Sequence, residues 1–149
     1  MEPIRIANIA NYTQEVIDGS LILTPKVIEV SDENVMGLSM IKSNILSCNV
    51  SDRGGSEIST KTKYRGILVD IWKTMPIQQV WTNTGFNFKL EDMKGDKGYF
   101  WCKDLKMSMR SKDASGSFKE IIGMCKVARY SLDIHIQLSD NTRIHYTLI

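Results

Sequence analysis

Two histidines stand in the alternating stretches RYSLDIHIQL (129–138) and TRIHYTLI (142–149), on either side of Ser139-Asp140-Asn141. A hairpin pairing Leu138 with Thr142 sets Ile136 against Ile144, Ile134 against Tyr146 and Leu132 against Leu148. The same register places His135 opposite His145 and Gln137 opposite Arg143. Two opposed imidazoles with Asp133 on the same face are the best metal candidates in the chain. A catalytic zinc takes three protein ligands, and here the third would have to be that carboxylate. Two histidines on a wet sheet face is the simpler reading, so no metal and no cofactor are assigned. Mutual repulsion of two protonated rings predicts a depressed pKa for at least one of them.

Other catalytic chemistry is thinner. The chain has no GxGxxG, GxxxxGK[ST], HExxH or GxSxG. Cys48, Cys102 and Cys125 are odd in number and form no CxxC, which argues against a disulfide framework and suits a reducing compartment. Cys102 lies among aromatics and Cys125 on an apolar helix stripe, so both read as buried and inert. Asp70, in YRGILVDIW, is the one acid expected inside a sheet, with Arg65 or the Tyr64 hydroxyl as its partner. No catalytic residue is assigned.

Charge carries more information. The 149 residues have a net charge of only +2, but residues 1–60 hold 4 basic and 8 acidic side chains, whereas residues 94–129 hold 9 basic and 4 acidic. Within the second block, Lys103, Lys106, Arg110, Lys112, Lys119, Lys126 and Arg129 accompany Tyr99, Phe100 and Trp101. Basic side chains interleaved with aromatics suit phosphate contact with base stacking, or an anionic membrane surface met peripherally. The N-terminus lacks a positive patch followed by an apolar run, so no signal peptide is expected. No apolar run approaches the roughly 18 residues of a spanning helix.

The elements that must position these groups follow from periodicity. Residues 1–19 have little period-two signal and read as an arm or short helix. Its Ile4, Ile6, Ile9 and Tyr12 are candidates for self-association. Residues 20–149 read as one domain. SLILTPKVIEV (20–30) predicts two strands around Pro25, and residues 35–50 a strand pair or one bent strand. YRGILVDIW (64–72) reads as a central strand, and residues 73–81 as a short helix capped by Thr74. Phe86, Phe88 and Leu90 alternate as in a half-buried strand. In 105–110, Leu105, Met107 and Met109 face a core while Lys106 and Arg110 face out. SGSFKEIIGMCKV (115–127) is an amphipathic helix with a Ser117/Glu120 capping box and an apolar face of Phe118, Ile121, Ile122 and Cys125. The fold class is α+β, a mainly antiparallel sheet of about seven strands with one or two short helices.

The succession Tyr99-Phe100-Trp101, then LKMSMRS (105–111), a polar turn and the helix SFKEIIGMCKV (117–127), resembles the aromatic–strand–turn–helix element of rhabdovirus matrix proteins. It lies late in the chain, and neither a lysine-rich N-terminal arm nor a PPxY motif accompanies it. The resemblance implies a small α+β viral structural protein that self-associates, contacts nucleocapsid and anionic membrane, and has no enzymatic activity. It implies residence in the virion and host-cell cytoplasm. On that footing Lys106 and Arg110 form a basic strand face, and the helix over 117–127 is a packing element. A small RNA-binding accessory protein is the second reading, and a metal-binding or hydrolytic protein built on the histidine hairpin the third.

Overall fold

A computed structural model describes residues 12–96 and 98–149. The candidate arm residues Ile4, Ile6 and Ile9 lie outside the described residues. Tyr12 opens β1 (Tyr12–Ile17), which pairs antiparallel with β2 (Ser20–Pro25). The arm-like part of the chain is therefore a hairpin from residue 12 onward. The signal for it was Asp18-Gly19, both at positive φ (52° and 79°), which is what a two-residue turn matched to strand twist requires.

β3 (Val27–Val30) follows directly, then the single-turn helix α1 (Asp32–Val35), capped by the Ser31 side chain. β4 (Asn44–Ser51) and β5 (Glu57–Ser59) form the next hairpin. With β9 (Ser131–Gln137) and β10 (Arg143–Leu148) they build a five-stranded sheet in the order β3-β10-β9-β4-β5. β3 runs parallel to β10 and the other pairings are antiparallel, so this is a mixed five-stranded sheet and not the mainly antiparallel sheet of about seven strands expected. The C-terminal hairpin has the register expected from its apolar pairs, including His135 opposite His145. A separate three-stranded sheet, order β6-β8-β7, comprises β6 (Phe88–Lys89), β7 (Tyr99–Cys102) and β8 (Met107–Arg110). The described residues thus hold ten strands in three sheets and four helices, more of both than the sequence reading, within the expected α+β class.

The largest correction concerns residues 64–72, which form the helix α2 (Tyr64–Trp72), not a central strand. Tyr64, Ile67, Leu68, Ile71 and Trp72 fall at i, i+3, i+4, i+7 and i+8, a helical stripe; all but the half-buried Tyr64 are buried. A nine-residue segment this rich in apolar side chains fits either element by length, and the 3.6-residue period separates the two. Asp70 accordingly sits on a helix, where neither Arg65 nor Tyr64 satisfies it. Its carboxylate accepts from Ser59 Oγ at 2.7 Å and meets Lys61 Nζ at 2.9 Å and Lys73 Nζ at 3.4 Å. α3 (Ile77–Asn83) begins after Pro76 and has no side-chain cap; Thr74 instead donates to the Ile71 carbonyl. Phe86 and Leu90 are exposed, leaving only Phe88 and Lys89 in a strand, with Phe88 stacked on Trp81 at 4.8 Å.

α4 (Ala114–Ala128) carries the expected apolar face, with Phe118, Ile121, Ile122 and Cys125 buried. Its cap is Asp113, whose side chain accepts from the Gly116 N–H at 2.7 Å, so the helix starts one turn before the expected Ser117/Glu120 box. α2 and α4 cover the face of the five-stranded sheet that presents Cys48, Val50, Leu132, Ile134, Ile136, Ile144 and Tyr146, all buried. Phe118 bridges the layers edge-on to Tyr146 (6.3 Å) and Tyr64 (6.1 Å). Strand alternation sends Asp133, His135 and His145 to the opposite, solvent-facing side.

Candidate functional site

Where α2, β7, β8 and the start of α4 meet, they enclose a cleft of about 280 Å³. α2 contributes Arg65 and Trp72, β7 contributes Phe100, β8 contributes Arg110, and the loop before α4 contributes Lys112. The Arg65 guanidinium lies 4.0 Å from the centroid of Phe100, and Phe100 stacks with Trp72 at 6.4 Å and 17°. Arg110 stands 6.0 Å from the Tyr99 ring. Lys112 is held by Glu120 at 3.1 Å, whereas among the described residues no carboxylate pairs with Arg65 or Arg110. Trp72 is buried, and its indole N–H has no hydrogen-bond partner among the described residues. Two guanidiniums beside stacked rings can hold an anionic group attached to a planar one.

Of the seven basic residues singled out by sequence, only Arg110 belongs to a strand, so they do not share a sheet face. Lys103 and Lys106 lie in the turn between β7 and β8, with Lys106 at a φ of +54°. Met107 and Met109 are buried and Leu105 is half-buried, as expected, but Ser108 is buried too. Its hydroxyl donates to the Glu91 carbonyl and accepts from the Met93 N–H, closing what alternation alone would leave as an outer face. Lys112 and Lys119 border a second hollow of about 520 Å³ along α4. Lys126 and Arg129 border a third, of about 480 Å³, where Lys126 also meets Asp32 at 3.6 Å. Arg65 and Trp72 were missed because their segment was read as a strand.

The histidine pair forms a second cluster. The two rings stack at 4.1 Å and 7°. His145 Nδ1 is 2.8 Å from a Glu29 carboxylate oxygen, and His145 Nε2 is 2.8 Å from Asp133 Oδ1. The same Asp133 oxygen is 3.8 Å from His135 Nε2. Glu29 arrives through the parallel β3–β10 pairing, which no local sequence pattern announced. Its hydrogen bond, opposed by partial burial and reinforced by Asp133, raises the His145 pKa above the ordinary value. For His145 this is opposite in direction to the depression that repulsion between the two rings predicts for at least one of them. Protonation of His145 therefore favours the fold fully below its unfolded pKa, and the contribution fades as pH rises through the raised one.

All three cysteines are buried. Burial pushes the Cys48 and Cys125 thiols up to about 12, so neither is a nucleophile near neutrality. No helix among the described residues is long and apolar enough to cross a membrane. No protein-family model, no curated protein and no solved structure matches this chain.

Proposed function

We propose that this chain is a non-enzymatic, self-associating structural protein of matrix type that holds the single-stranded RNA of a nucleocapsid in the Arg65–Arg110–Lys112 cleft. The observation that carries the reading is the pair of guanidiniums, paired with no carboxylate among the described residues, beside the Phe100–Trp72 stack. A phosphate satisfies the guanidiniums and a base extends the aromatic stack, so one nucleotide uses both halves of the cleft. A concave site of about 280 Å³ suits a protruding nucleotide better than the broad plane of a lipid surface. Lys103, Lys106, Lys119, Lys126 and Arg129 would then guide the strand outside the cleft. In this reading the protein works in the virion and the host cytoplasm.

Self-association has its own support. Val16, Ile17, Leu21 and Ile22 are exposed together around the tip of the β1–β2 hairpin, and Val27 and Ile28 are exposed on the edge strand β3. Clustered exposed aliphatics next to an open sheet edge mark a contact surface.

Fluorescence anisotropy with a labelled oligouridylate of about 12 nucleotides, run beside sedimentation with phosphatidylserine vesicles, tests the reading. Salt-sensitive RNA binding that Arg65→Ala weakens is expected. Vesicle binding without RNA binding would transfer the role to a membrane surface, and binding to neither would end it.

A further inference from the structure

We propose that His135, His145 and Asp133 form a binding site for a divalent transition metal such as zinc on the open face of the five-stranded sheet, with Glu29 orienting His145. The three residues offer two imidazole nitrogens and a carboxylate oxygen, all within 4.8 Å of one another. This is the donor set that borderline cations such as Zn²⁺ prefer. Around a tetrahedral zinc with bonds of about 2.0–2.1 Å, neighbouring ligand atoms stand about 3.3 Å apart. Asp133 Oδ1 is 2.8 Å from His145 Nε2 and 3.8 Å from His135 Nε2, so the two edges that run from the carboxylate lie within about half an ångström of that spacing, and the edge between the two rings, within 4.8 Å, closes as the rings tilt.

Glu29 supplies an independent argument. Its carboxylate takes the Nδ1–H of His145 at 2.8 Å, so when a metal displaces the proton that Nε2 shares with Asp133, Nε2 is the nitrogen with a lone pair to give. A carboxylate behind a histidine in this manner fixes the tautomer and strengthens the ligand. Glu29 is on β3 and His145 on β10, while Asp133 and His135 are on β9, so the ion would tie three adjacent strands together. The two rings now lie parallel and must tilt toward each other to converge on one ion. Their side chains are 39% and 19% exposed, which leaves them free to do so and leaves a path for the ion. The thiols do not compete, because all three are buried. Removal of one proton from His145 accompanies metal entry whenever that ring is charged, since the ligand must be neutral.

Calorimetric titration of the full chain with zinc chloride tests the site, with cobalt(II) absorption reporting its geometry. One equivalent should bind and give the intense visible bands of four-coordinate cobalt. His145→Ala and His135→Ala should each abolish the bands, and Glu29→Gln should weaken binding about 10- to 100-fold. Circular dichroism establishes that each variant is folded; should His145→Ala fail that check, His135→Ala and Asp133→Asn decide the question, both altering solvent-facing groups. Binding that survives loss of His135 would overturn the shared site. Unchanged affinity in Glu29→Gln would overturn the orienting role, and the absence of binding by the parent would overturn both.

Discussion

Replacing Arg65 and Arg110 together with alanine removes two of the three cations that face the cleft, and the consequence can be worked through in advance. Binding of a single strand releases about 0.7 counterion per neutralised phosphate. If Arg65 and Arg110 each neutralise one phosphate, the double variant's log–log salt slope is shallower than the parent's by about 1.4. Raising salt from 50 to 200 mM should then weaken the parent about 7-fold more than the variant. Both side chains are exposed, so the fold should survive. The main structural loss is the Arg65–Phe100 contact at 4.0 Å, worth about 0.5–1 kcal/mol. For a domain of this size that lowers Tm by no more than about 4 °C. Anisotropy across a salt series gives the slopes, and a thermal melt reports the fold. A double variant with the parent's slope would refute the reasoning, because the phosphates would then be neutralised elsewhere.

Asp70→Asn should destabilise the fold by about 1–3 kcal/mol, since the buried charge-assisted bonds from Lys61 and Ser59 are lost or weakened; urea denaturation measures it. In the parent, burial works to raise the Asp70 pKa, but the bonds from Lys61 and Ser59 prevail and leave it below the ordinary value. Its stabilisation is therefore complete above the unfolded pKa, near 3.8, and lost as pH falls through the lower folded value; an Asp70→Asn variant with the same acid unfolding profile would contradict this. Met107→Asp should abolish cooperative unfolding in a thermal melt, because it buries an unpaired charge at a site only 3% exposed. Removal of residues 1–25 should leave a folded and more monomeric protein by light scattering, since β3 and everything after it are retained; an unfolded product would place the hairpin in the core.

How far the sequence could be read depended on whether a pattern was local. The C-terminal hairpin was legible in full because every pair on its inner face is apolar, and a shift by one residue would have set one strand's polar residues, its histidine among them, against the other strand's apolar set. α4 was legible for the same reason at a period of 3.6, although its first turn escaped notice because Asp113, the cap, precedes a polar stretch. α2 was misread even though its signal was present: Val69 extends Ile67-Leu68 into a three-residue apolar run ahead of Asp70, which obscures the helical stripe. Tertiary pairing left less trace. Nothing near Glu29 says that β3 will lie parallel to β10, and without that pairing His135 and His145 look like two histidines with one carboxylate.

The misreading of α2 also changes where function is sought. As a strand, residues 64–72 would have placed Arg65 and Asp70 on opposite faces of one sheet. As a helix they separate differently: Asp70 turns toward Ser59 and is neutralised by Lys61 and Lys73, while Arg65 turns toward Phe100 and keeps its charge. The basic character of the middle of the chain thus gains a member from outside it, and the acid that could have cancelled Arg65 is already occupied. The cleft lies among the elements that cover one side of the five-stranded sheet, and the histidine cluster lies on the other side. Sites separated by a packed sheet and sharing no side chain act on their ligands almost additively. Zinc should therefore leave the salt slope of RNA binding unchanged, which allows either site to fail without taking the other with it.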